Sequence, residues 1–272
     1  MADPDKAREG SDGAQSVRRA MAVLRLVAAG QDQGVRLTDV ATLAGLTLPT
    51  ARRLLKVLME ETAVEQDPTT RRYRIGNEIT LLGLARPGGF SLRSVAEPYL
   101  ASLAAHMGDT VFLSVRHGAD SVCIARYLGS HPIQVLSIPI GARRPMGASV
   151  SGIMLLSGMN DRDVASITSD NRMRLQALGR SVKSVTDDVA AARRSGYVYA
   201  PRGVMSGTSA IAVAVPDANG QVVGAISIAT LASRLGRDRV RSLVDAMQTE
   251  VARLTARLRE IEQARAVGRR QT

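Results

Sequence analysis

Residues 37–58, LTDVATLAGLTLPTARRLLKVL, restrict the possible folds more than any other stretch. Their spacing predicts two short amphipathic helices with a tight break between them. Leu37 or Thr38 starts the first, and Val40, Ala41 and Leu43 are its expected inward set. Gly45 supplies the turn, because it takes positive φ without steric cost. Leu46 fills the corner. Thr47 then caps the second helix, whose first turn accepts Pro49 because an N–H there has no helical partner.

The second helix has two unlike faces. Ala51, Leu54, Leu55 and Leu58 recur at the i, i+3, i+4, i+7 spacing of a buried stripe. Arg52, Arg53 and Lys56 lie opposite, with Thr50 at the border and no acidic residue among them. A solvated helix face is the bland reading of such a pattern. An apolar back and cationic front behind a glycine turn is also what a major-groove recognition helix requires.

The flanks favour the second reading. Residues 1–15 read as a disordered lead. Ser16 then caps a helix to about Ala29, with Val17, Ala20, Met21, Leu24 and Val27 inward. After the basic helix, Val64–Gln66 and Arg71–Ile75 flank a Pro-bearing turn, Asp67-Pro68-Thr69-Thr70, as a hairpin would. A hairpin placed there is a wing, so residues 16–76 are expected to be a winged helix-turn-helix. The candidate DNA-contacting set is Thr47, Thr50, Arg52, Arg53, Lys56, Arg71 and Arg72, the last two on phosphates.

Composition adds limits more than direction. The formal net charge is +11, yet residues 16–76 hold ten Lys/Arg against six Asp/Glu while 77–272 hold 24 against 15. The local helix face therefore says more about DNA than the global charge does. One cysteine, Cys123, excludes an internal disulfide framework and fits a reducing cytoplasm. No apolar run reaches the ~18 residues of a membrane span, so a soluble cytoplasmic protein without membrane contact is expected.

Residues 77–90 are expected to be a linker: a helix over Asn77–Arg86, then Pro87-Gly88-Gly89 as a break. Beyond it, a helix from Ser94 to Gly108 precedes strands at Thr110–Arg116, Ser121–Tyr127 and Ile133–Ile138. Helices follow at Ser149–Leu156, at Asp161–Ile167 and from a Thr186 cap to Ser195-Gly196. Ser209–Val215 and Val222–Thr230 form a hairpin over Asp217-Ala218-Asn219-Gly220. A helix from Asp238 to about Gln263 closes a domain of 91–263, leaving 264–272 as a basic tail. Strands mixed with helices and few crossovers predict an α+β domain on an antiparallel sheet.

The runs VRRAMAVLRLVA, LTDVATLAGLTLPTARRLLKVLMEETAV and RRYRIG resemble the N-terminal domain of IclR-type bacterial transcriptional regulators. That family's pattern is LxxIAxxxGLxxSTAxRLLxxLxxxGxV followed by YxLG. Pro49 stands here for the serine, and Ala63 is read at the glycine ahead of the wing. Further on, GDTVFLSV, GARRPMGASVSGIMLL, SGYVYAPRGVMSGTSAIAVAV and VVGAISIA resemble the family's C-terminal effector-binding domain, which implies a GAF-like fold.

The second half departs from the family where ligands are held. Gly147 stands for a histidine and Ile153 for a lysine. Members that bind small oxoacids use an Asp, a Cys and two Ser, and the resemblance puts these at Ala200, Ala210, Ser227 and Ala229. Only Ser227 keeps a polar group. A carboxylate left unpaired in such a pocket would lose several kcal/mol. A larger or more apolar effector is therefore expected, aromatic or lactone-like, against Met146, Val150, Ser151, Ile153, Ala200, Ala210, Ser227 and Ala229.

Other chemistry is thin. G-A-S-V-S-G is not the strand-to-helix elbow of a hydrolase, and no histidine follows it in triad order. His117, Cys123 and His131 lack metal-ligand spacing, and no cofactor motif is present. The expected function is a sequence-specific DNA-binding regulator, not an enzyme. Its expected partners are a palindromic operator in double-stranded DNA, a small-molecule effector and further copies of itself, as a dimer or dimer of dimers. A regulator with a vestigial pocket stays open, as does an enzyme or metal sensor with an accessory helix-turn-helix.

Overall fold

The computed structural model describes residues 4–85, 92–136 and 138–268. The chain divides into two compact units, Met1–Gly89 and Phe90–Thr272. The expected break at Pro87-Gly88-Gly89 and the end of the basic tail lie outside the described residues.

The first unit opens with α1 (Pro4–Ala29), followed by a 3-10 turn at Gln31–Gln33, α2 (Leu37–Ala44) and α3 (Leu48–Glu60). β1 (Val64–Gln66) and β2 (Tyr73–Ile75) pair antiparallel, and Tyr73 also bridges Val35. α4 (Asn77–Leu84) ends the unit. Gly45 closes α2 at φ 63°, and its N–H is directed to Ala41 and Thr42 carbonyls. Thr47 caps α3 by accepting from the Thr50 N–H at 3.4 Å. Val23, Val27, Val40, Ala51, Leu55, Leu58, Val64 and Tyr73 share the core.

Four expectations for this unit need correction. α1 begins at Pro4, so the lead is helical from there and Ser16 lies inside the helix instead of capping it. Its Ala, Lys, Arg and Gln content suits a helix once α1 is nucleated. Val17 and Met21 are exposed, because that part of α1 runs past the small core and the buried stripe starts at Val23. Leu43 is likewise 67 % exposed. The left-handed residue ahead of the wing is Thr62, φ 50°, whereas Ala63 is buried, so the position that suits the family's glycine is Thr62.

The second unit is a six-stranded, wholly antiparallel sheet covered by helices on both faces. It comprises α5 (Leu92–Met107), β3 (Thr110–His117), β4 (Asp120–Tyr127), β5 (Arg143–Pro145) and α6 (Val150–Ser157). α7 (Asp161–Asp170), α8 (Arg172–Gln176), α9 (Val182–Ser195), β6 (Tyr197–Ala200), β7 (Thr208–Pro216), β8 (Val222–Leu231) and α10 (Arg237–Gly268) follow. The strand order is β5-β4-β3-β8-β7-β6.

Alternation along the strands decides what each face holds. Val111, Leu113, Ile211, Val213, Ile226 and Ile228 point to α5 and α10 and form the larger core. Their neighbours Ala212 and Ala225 pack under α6 and α9, while Phe112 and Ala229 gather with Cys123 in a small satellite core. Small residues on that second face leave room above it.

Among the described residues of 133–138 the expected strand does not form. β5 takes the edge beside β4, and the Gln134 side chain holds the segment instead. Its amide donates to the carbonyls of Gly108 at 3.0 Å and His131 at 2.6 Å, while its oxygen accepts from Thr110 Oγ at 2.8 Å. Ser181, not Thr186, caps α9, through a reciprocal box with Ser184. α10 runs on to Gly268, through most of the expected tail.

Candidate nucleic-acid interface and effector cavity

The candidate recognition surface lies on α3. Ala51, Leu55 and Leu58 are buried, so Pro49, Arg52, Arg53 and Lys56 are turned outward by helical periodicity. They line a shallow hollow together with Leu37 and Leu48. Among the described residues Arg52 and Arg53 have no hydrogen-bond or ion-pair partner, whereas Lys56 lies 3.6 Å from Glu60. Both ends of that pair are well exposed, so it costs little to break. The hydroxyls of Thr47 and Thr50 meet at 2.8 Å, which fixes the cap and leaves oxygen lone pairs over.

The wing keeps fewer uncommitted cations than its sequence promises. Asp67 accepts from the N–H groups of Thr69 at 3.0 Å and Thr70 at 2.7 Å, which tightens the turn and lowers its pKa. Arg71 is exposed in a left-handed conformation, φ 57°. Arg72 instead donates to the Gly34 carbonyl at 3.1 Å, tying the wing to the loop before α2. Its guanidinium is therefore partly committed within the unit, a role that sequence spacing could not reveal.

The second unit holds a cavity of about 530 Å³ on the α6 side of the sheet. Val150, Ser151, Ala200, Ala210, Ser227 and Ala229 all line it, with Phe112, Ile138 and Ile153. Met146 does not. It is fully buried in the core beneath α6 and α9. Ser151 donates to Ser227 Oγ at 3.0 Å, so the one polar group that the pattern retains is already engaged.

The rim is more polar than the sequence suggested. Arg144, Arg180, Asp188, Tyr199 and Arg202 line the same cavity. Arg180 pairs with Asp188, yet its Nε–H is buried without an acceptor among the described residues. Arg144 has no carboxylate partner there, and burial lowers its pKa from the ordinary arginine value. Its inward direction depends on β5, a three-residue strand paired to β4 through Ser121, which no periodicity announces.

The departure at Gly147 has a steric reason. Gly147 has φ 92°, and a Cβ there would come within 2.6 Å of Val185 Cγ1. No side chain, histidine included, fits unless the Val185 side chain gives way. Ile153 is buried in the core beside it. His117, Cys123 and His131 are not brought together. His117 meets Arg143 at 3.2 Å, His131 bonds the Ile133 backbone, and Cys123 is buried. Among the described residues no cluster of three His, Cys, Asp or Glu could hold a metal, and no helix is long and apolar enough to cross a membrane.

Comparison with known proteins agrees with both halves. Residues 16–68 match the IclR helix-turn-helix domain, and residues 88–256 match the bacterial transcriptional regulator IclR C-terminal domain. The HTH-type transcriptional repressor AllR of Escherichia coli K12 is 32 % identical over 248 residues, 90 % of this chain and 89 % of that protein. The putative transcriptional regulator RHA06195 from Rhodococcus sp. RHA1 superposes with TM-score 0.68 at 27 % identity, over 91 % of this chain and 99 % of that one. An IclR homologue from Microbacterium hydrocarbonoxydans, solved with 4-hydroxybenzoate, shares the fold with TM-score 0.66 at 23 % identity, over 89 % and 99 % of the two chains.

Proposed function

The chain belongs to the IclR family of bacterial transcriptional regulators, and from that premise we propose a regulator released or engaged by a small organic acid with an apolar body. It is a DNA-binding transcriptional regulator, not an enzyme. Arg52, Arg53 and Lys56 read base edges, Thr47, Thr50 and Arg71 assist at the backbone, and Arg72 does so only where its bond to Gly34 allows. Two copies pair over a palindromic operator in the cytoplasm.

The observation that carries the effector reading is the charge around the cavity. Arg144 is half-buried and has no acidic partner among the described residues, and Arg180 lines the same cavity in a pair with Asp188. Guanidinium groups match carboxylates through paired hydrogen bonds. The floor of Ala200, Ala210, Ala229 and Phe112 offers no such bonds and suits an apolar ring or chain. The 4-hydroxybenzoate held by the Microbacterium homologue is a compound of this kind.

Ligand binding to the native state raises the melting temperature, by the equivalent of about 2.7 kcal/mol at a hundredfold excess over Kd. Benzoate and phenylacetate are expected to produce such a shift, and glyoxylate little or none. Arg144→Met should remove the shift for the acids, and Ala210→Phe should remove it for every ligand while operator binding persists. A full shift in Arg144→Met would overturn the acid reading. A flat response to every compound in the wild-type chain would favour a vestigial pocket.

A further inference from the structure

The hollow on the outward face of α3 is lined partly by apolar side chains, which its basic residues do not explain. Leu48 is 50 % exposed, Pro49 is exposed, and both line the hollow with Leu37. Arg52, Arg53 and Lys56 make up the rest of the lining, and no carboxylate is part of it. A single exposed leucine needs no explanation. Three apolar residues lining one hollow with three cations do.

Their place on the helix narrows the choice of occupant. Thr47 is the cap, so Leu48 and Pro49 are the first two helical residues. Recognition helices in this arrangement bring their N-terminal residues to the base edges. Leu48 has no polar side-chain atom, and Pro49 lacks even a backbone N–H. Against most of the major-groove edge, where donors and acceptors predominate, such a surface strips water and returns no hydrogen bond. Thymine alone places a methyl group there. The basic residues of the same hollow supply the second constraint, since the major groove that holds a thymine methyl is bordered by phosphates.

We propose that Leu48 and Pro49, with Leu37 behind them, seat thymine C5-methyl groups in the operator's major groove and so specify thymine under the first turn of α3. The proposal rests on α3 being the recognition helix. It adds a contact of a different kind from the hydrogen bonds expected of Arg52 and Arg53. Its specificity is against cytosine and the purines, whose edges place no methyl group at that point.

The test uses the full chain and an operator enriched from random duplexes by binding to this protein. Replacing each thymine in turn by deoxyuridine removes the methyl and leaves the hydrogen-bonding edge intact. Burying one methyl-sized group contributes roughly fourfold in affinity, so a loss of about that size is expected at the thymines beneath the first turn. Leu48→Ala should weaken the thymine operator by a similar factor and be indifferent to deoxyuridine at those positions. Leu48 is exposed, so the variant should melt like the wild type, and Leu48→Met should restore the sensitivity.

Equal binding of thymine and deoxyuridine operators by the wild type would overturn the proposal. So would a Leu48→Ala chain that still distinguishes them. A Leu48→Ala change in sedimentation without any change in deoxyuridine sensitivity would assign the hollow to a second copy of this chain, and would also overturn it. Failure of the underlying reading looks different: the Arg52→Ala, Arg53→Ala, Lys56→Ala chain would then bind the operator as tightly as the wild type.

Discussion

Thr62 carries a conformation that its side chain disfavours. A β-branched residue at positive φ is an outlier, and the left-handed region costs about 1–2 kcal/mol for a residue with a Cβ. Thr62→Gly should therefore stabilise the chain by about 0.5–1 kcal/mol after the entropy of glycine is subtracted. Urea unfolding should show a higher midpoint at unchanged slope. Gly147 is the reverse case. Gly147→His, which would recreate the family's residue, adds both the positive-φ cost and the overlap with Val185. A loss of about 2–4 kcal/mol is expected. Val185→Ala in that background should recover part of it, seen as a partial return of the melting temperature. At this scale the sequence was readable where a pattern named the position, as at Ser227 and Ala210. It was not readable at Arg144 or Met146. At Arg144, which of two neighbours on the three-residue β5 turns inward is settled by pairing with β4, and Met146, just past that strand, is taken up by the core beneath α6 and α9. Cys123 is a third instance: burial pushes its thiol up to about 11, so it should resist a disulfide reagent at pH 8 until the chain unfolds.

The wing shows how an element can be legible in outline and not in role. Its Pro-bearing turn and short extended runs predict the hairpin, but Arg72 turns back to Gly34 and Arg71 alone stays exposed. Asp67 anchors the turn through the Thr69 and Thr70 N–H groups. Hydrogen bonds to the Thr70 backbone and side chain lead the lowering of its pKa below 3.8. A carboxylate whose folded pKa is depressed contributes stability above its unfolded pKa, and the contribution fades as pH falls through the folded value. The turn should therefore be fully formed at neutral pH and loosen only in acid, below the unfolded pKa. Asp67→Ala should loosen it at every pH. Trypsin cleavage at Arg71 and Arg72 should then accelerate at pH 8, with the melting temperature of the second unit unmoved. Ile133–Ile138 is the opposite failure. Its apolar residues suit a strand, but one glutamine side chain replaced the ladder, and no periodicity encodes such a substitution.

For the molecule as a whole, specificity requires more than one recognition helix. A single unit of this kind contacts few base pairs, and two-fold pairing over a palindrome doubles the site. The first unit leaves the apolar surface that pairing would need. No residue of α4 is buried, and Leu81, Leu82 and Leu84 are exposed at 51 %, 61 % and 76 %. Val17 and Met21 of α1 are exposed as well. An eight-residue helix with three bare leucines is poorly suited to water, and burying them against a second copy would contribute about 1.5–3 kcal/mol for each side chain fully covered. The wild-type chain is thus expected to sediment as a dimer or a pair of dimers at micromolar concentration. Leu81→Glu with Leu82→Glu should give a smaller species whose first unit still folds, since neither side chain belongs to its core. That species should lose operator affinity steeply while keeping weak, salt-sensitive binding to any duplex, because each recognition surface is intact but the two half-sites are no longer joined. A wild-type monomer that binds the whole operator tightly would contradict this assembly.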